Sequence, residues 1–197
     1  VGLFFLVSVA GTDAVRLTSA LCFGISLIAL FAASTAYHYF DFGPQANAKL
    51  RRLDHAAIYG LIAGTYVPSL LLVLSGTWRI AMLVLIATLG IAGIVFKIVW
   101  FNPTSKAGAF LYVAMGWVIL LAWPQLWPVI TAQQATLLVG GGVIYTVGAV
   151  VYATKWPNPW PGHFGFHEVW HLFVLAGAAA HYFYVLDLLR GPYPPFH

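Results

Sequence analysis

Apolar runs of roughly 18 or more residues recur along this chain, and no other feature restricts its fold as tightly. A helix needs about 20 such residues to cross some 30 Å of hydrocarbon. Inside lipid, each backbone N–H and C=O must find its partner within the span, which leaves helices and closed barrels as the only solutions. Only 7% of the residues are charged, against about 25% in an ordinary soluble domain. The length of the runs selects helices, so the sequence predicts an all-α polytopic membrane protein.

Gly, Pro, Asn and charged residues divide the chain into seven predicted helices, at 1–10, 16–40, 53–74, 78–100, 107–123, 134–154 and 166–189. The connections are short, with no linker or low-complexity tract. Residues 1–197 therefore read as a single seven-helix transmembrane domain. The stretch "VGLFFLVSVA" reaches only about 15 Å as a helix and lacks an initiating Met and a basic leader. We expect it to be the tail of a first helix that is truncated here. The lone cysteine, Cys22, lies in an apolar run and has no cysteine to pair with in the chain.

The formal charge of +4 comes from nine Lys and Arg scattered among the connections. That pattern excludes a nucleic-acid surface and suits topology signals that meet lipid head groups. Counting by alternate sides puts Lys49, Arg51, Arg52, Lys97, Lys106 and Lys155 on one face, and Arg16, Arg79 and Arg190 on the other. The first face is expected to be cytoplasmic, with the amino end inside and the carboxy end outside. The expected location is a bacterial inner (plasma) membrane, with lipid as the partner. Oligomeric state is not readable from the sequence.

Ionisable residues inside membrane helices are costly and mark a function or an internal pair. Here they are His38, Asp54, His55, His167, Glu168, His171, His181 and Asp187. In "HEVWH", His167 and His171 stand at i and i+4 on one helix face, about 6 Å apart along the axis. That spacing lets two imidazoles reach one metal ion. "STAYH" sets Ser34 one turn before His38, and "RRLDHAAIYG" opens the third helix with Asp54. By the parity of the helices, all five residues lie near the cytoplasmic face at similar depth.

Three neutral imidazoles plus water form the open type of zinc site, in which the bound water is acidified. Asp54 then serves as proton acceptor or orients a histidine, and Ser34 donates to a developing oxyanion. Such a site suits hydrolysis of an amide or ester. Each residue also has a structural reading. Ser34 can return its hydrogen bond to its own helix, and Asp54 can pair with Arg51 or Arg52. His55 points about 100° from Asp54, which favours a structural hydrogen bond. Glu168 diverges likewise from His167 and sits where a helix start favours an acid. His181 is about 15 Å beyond His171, too far to share its metal, and reads as a core histidine.

These residues carry a resemblance that spans essentially the whole chain. "SALCFGISLIALFAASTAYHYF" with its S-x-x-x-H, "RRLDHAAIYGLIAGTYVP" with its Asp-His, and "HEVWHLFVLAGAAAHYF" with its H-x-x-x-H together resemble the hemolysin III family. This is the bacterial branch of the progestin and adipoQ receptor superfamily, which includes the adiponectin receptors. The resemblance implies seven helices and zinc held by His38, His167 and His171, with Asp54 and Ser34 close by. It does not fix a glutamate at the position of Glu168. It implies ceramidase-like activity only through eukaryotic members and the similar motifs of alkaline ceramidases.

Two main functions are compatible with these residues. One is a zinc-dependent hydrolase of a lipid amide or ester bond. The other is a non-enzymatic sensor or regulator of bilayer state, or a haemolysin-like pore-former, in which zinc is structural. No repeated ring of charge supports a conventional channel. An intramembrane zinc protease with Glu168 as base ranks last, since "HEVWH" alone supports it.

Overall fold

The computed structural model describes residues 1–100 and 107–192. Among these, regular structure is helical, apart from one isolated bridge between Trp160 and Phe164. The α-helices are α1 (Gly2–Ala10), α2 (Ala14–Tyr39), α3 (Pro44–Leu72), α4 (Gly76–Val99), α5 (Ala107–Trp117), α6 (Trp123–Leu126), α7 (Ala132–Thr154) and α8 (Phe166–Arg190). A 3-10 stretch, Val118–Ala122, joins α5 to α6. Six spans are long and apolar enough to cross a membrane: α2, α3, α4, Gly108–Leu126, α7 and α8. The protein is an all-α polytopic membrane protein.

Two boundaries differ from the sequence expectation. The third helix begins at Pro44, not near residue 53. Proline at the first helical position loses no hydrogen bond, because that N–H has no helical partner. Gly43 supplies the turn before it at φ 87°, a conformation that favours glycine. The polar run "PQANAKLRR" was therefore a helix start and not a connection. Just before it, the Asp41 carboxylate accepts from the Gly43 N–H at 2.9 Å and the Asn47 side chain at 2.8 Å. Those donors hold its pKa below the usual carboxylate value.

The fifth predicted helix, 107–123, is not uniform. It tightens to 3-10 geometry after Trp117 and resumes as α6 with Pro124 in the first turn. "VILLA" is apolar throughout, so nothing in its pattern announces the change. Lys97, whose charge is counted towards one membrane face, lies inside α4 and is only 4% exposed. Lys106 and His197 fall outside the described residues.

Among the described residues, 1–100 with 188–192 form one compact unit, and 107–187 form a second. In the first, α2 runs close to α3 at Gly64, where an added Cβ would stand 2.9 Å from the Cys22 carbonyl oxygen. Small residues permit such backbone approach in membrane helices. Leu6, Phe23, Leu70 and Leu74 fill the interior. Arg16, in the first turn of α2, donates to the Leu189 and Gly191 carbonyls at 2.9 and 2.8 Å. Those oxygens belong to the end of α8, where carbonyls lack helical partners and a cation is favoured.

In the second unit, α7 presents Gly141 and Gly148 to α8. An added Cβ would come within 2.6 Å of His181 at the first and 2.7 Å of Phe173 at the second. Thr131 and Gln134 close a reciprocal capping box at the start of α7. The Trp117 indole N–H donates to the Thr146 hydroxyl at 3.0 Å.

Candidate metal centre

In the first unit, the end of α2 supplies Ser34 and His38, and α3 supplies Asp54. Asp54 is buried, at 5% exposure. Ser34 and His38 both lie near enough to its carboxylate to interact with it electrostatically. Ser34 thus faces α3 across the pair of helices. His38 is exposed, its ring tilted against Tyr37 with centroids 4.6 Å apart. His55 uses Nδ1 on the Arg51 carbonyl at 2.9 Å, the expected structural bond, and stays 3.8 Å from the nearer Asp54 oxygen.

In the second unit, the first two turns of α8 carry His167 and His171. Both are half-buried, and their Nε2 atoms stand 3.1 Å apart. Tyr152 of α7 and Trp170 flank them, with ring centroids 6.1 and 5.3 Å from that of His167. These two aromatics were not singled out in the sequence, since aromatic residues are common throughout this chain. Glu168 is exposed and accepts from the Gly165 N–H at 2.7 Å. The Asn158 side chain takes the next donor, Phe166 N–H, at 3.1 Å. Both are capping bonds for unpartnered N–H groups at a helix start.

His181 is buried further along α8. Its Nε2 lies 3.2 Å from the Leu138 carbonyl oxygen and its ring 5.5 Å from that of Tyr145. It is a core histidine.

His167 and His171 lie together in the second unit, and His38 lies in the first. Two nitrogens at zinc-ligand distance from one tetrahedral ion stand about 3.3 Å apart. The 3.1 Å between His167 and His171 matches that separation. An all-imidazole donor set suits zinc and other borderline metals. Metal-ligand histidines commonly have a carboxylate nearby, and Asp54 stands in that relation to His38. The His167–His171 pair therefore fits two positions of one metal site.

Fold and site together define a polytopic helical membrane protein with a pair of histidines spaced to share one metal ion. The haemolysin-III-related family model matches residues 1–182, and the chain belongs to that family. It is 40% identical over 165 residues to Hemolysin-3 of Bacillus cereus, covering 83% of this chain and 72% of that one. With a Hemolysin-3 homolog of Bacillus subtilis it shares 39% over 164 residues, 83% of this chain and 74% of the relative. The human monocyte to macrophage differentiation factor is 29% identical over 182 residues, 86% of this chain and 70% of its own.

Proposed function

We propose that this protein is a zinc-dependent hydrolase of a lipid amide or ester bond, with His38, His167 and His171 as metal ligands and Asp54 and Ser34 as helpers. The reading rests chiefly on Asp54: a buried carboxylate with Ser34 and His38 close beside it is more than a purely structural metal needs. Zinc, when bound, supplies a Lewis acid that brings the pKa of a coordinated water down to about 7. Asp54 takes up a proton at its free carboxylate oxygen and passes it to the leaving group. Ser34, close beside the carboxylate, is placed to steady its orientation. When the carboxylate is protonated, the Ser34 hydroxyl is free to turn towards a developing oxyanion. The apolar helix faces around the site suit lipid substrates over soluble ones.

The charge distribution supports placing this end of the helices on the cytoplasmic side of a bacterial plasma membrane, with the amino end inside. The relatives' printed name, hemolysin, favours a second reading, in which the metal ties helices together in a membrane-active protein without hydrolysis. Reconstituted, metal-loaded protein tested against amide-linked and ester-linked lipids separates the two. The hydrolase reading expects turnover that Asp54→Ala removes while leaving the metal bound. Chelation that lowers thermal stability, with no substrate cleaved before or after, would establish the structural reading instead.

A further inference from the structure

The helix α3 has 29 residues, about 43 Å at 1.5 Å per residue, and exceeds a hydrocarbon core of about 30 Å. Its polar start, Pro44 to Arg52, is the surplus, and it belongs in the head-group layer. There the first unit has an open groove of about 500 Å³, lined by Phe42, Leu50, Leu53 and Ile98 together with Lys49 and Arg52. The apolar side chains are well exposed: Phe42 at 62%, Leu53 at 51% and Ile98 at 49%. One guanidinium nitrogen of Arg52 donates to the Ile98 carbonyl at 3.4 Å, which holds the cation at the groove's edge with donors to spare. The nearby acid, Asp41, is occupied by the Gly43 N–H and the Asn47 side chain.

Two cations over an apolar floor match a molecule that carries an anion and a hydrocarbon chain on one scaffold. We infer that this groove binds an anionic phospholipid. Its phosphodiester accepts from Lys49 and Arg52, and an acyl chain lies along Phe42, Leu53 and Ile98. A zwitterionic head group brings its own ammonium towards the same cations and is disfavoured. An acidic peptide lacks the chain that the floor would cover. The site uses none of the residues assigned to the metal or to hydrolysis, so it stands or falls separately from the proposed function.

The test is lipid retention by the full chain, extracted from vesicles of equal phosphatidylglycerol and phosphatidylcholine and weighed by native mass spectrometry. The wild type is expected to retain phosphatidylglycerol preferentially. Each cation near an anionic surface is worth about fivefold, so Lys49→Gln with Arg52→Gln lowers the preference roughly thirtyfold. Leu53→Ser, with both charges kept, lowers retention severalfold. Lys155→Gln, on an exposed basic residue after α7, leaves it unchanged. An equal loss with Lys155→Gln would reduce the effect to general surface charge and overturn the inference. So would displacement of the lipid by millimolar glycerol phosphate, or full retention by the double variant. Circular dichroism confirms that each variant keeps its helices before it is scored.

Discussion

Two kinds of histidine share helix α8, and they are used differently. His167 and His171 stand half-buried at its start, with their Nε2 atoms directed at each other. His181, farther on, is buried with its Nε2 at the Leu138 carbonyl and its ring against Gly141. The side chain is the same in both places, so what a histidine does here depends on what stands opposite it. A nitrogen opposite another nitrogen leaves a shared position for a cation. A nitrogen opposite a backbone oxygen is already spent on packing.

The largest way to break this contrast is to truncate a member of each kind. His167→Ala or His171→Ala is expected to lower metal affinity by about a hundredfold or more, since even the loss of a group that merely supports a ligand costs 10- to 100-fold. His181→Ala is expected to keep the metal. If His181→Ala abolished metal binding, the division between the two kinds would be lost. Next in size is the acid beside His38. Asp54→Asn is expected to lower turnover about 10²- to 10⁴-fold, the usual worth of a positioned acid or base, while metal content stays near wild type.

A smaller effect sharpens the packing side. Gly141→Ala forces a methyl towards the His181 imidazole, and overpacking of this kind costs about 1–3 kcal/mol. Thermal unfolding in detergent should fall accordingly, with metal content unchanged. The smallest effect belongs to Glu168, whose carboxylate caps the start of α8. Glu168→Gln is expected to cost a few tenths to about 1 kcal/mol, with no change in bound metal. A loss of metal in that variant would return Glu168 to the site.

Much of this was legible in the sequence. The spacing of His167 and His171 follows from helical period alone, and the apolar runs show α2, α4, α7 and α8 to within a few residues. The structural role of His55 was also foreseen from its direction relative to Asp54. Other features could not be read. The start of α3 at Pro44 was hidden because a polar helix end outside the hydrocarbon has a loop-like composition. The burial of Lys97 is not readable because it depends on a neighbouring helix that a linear pattern does not show. The approach of Ser34 to Asp54 brings two helices together, and period within either one says nothing about it.

The most direct test is elemental analysis of protein purified without chelator, comparing wild type with His38→Ala, His167→Ala and His181→Ala. The account predicts about one zinc per chain in wild type and in His181→Ala, and none in the other two. Wild type without metal, or His38→Ala and His167→Ala with full metal, would contradict it.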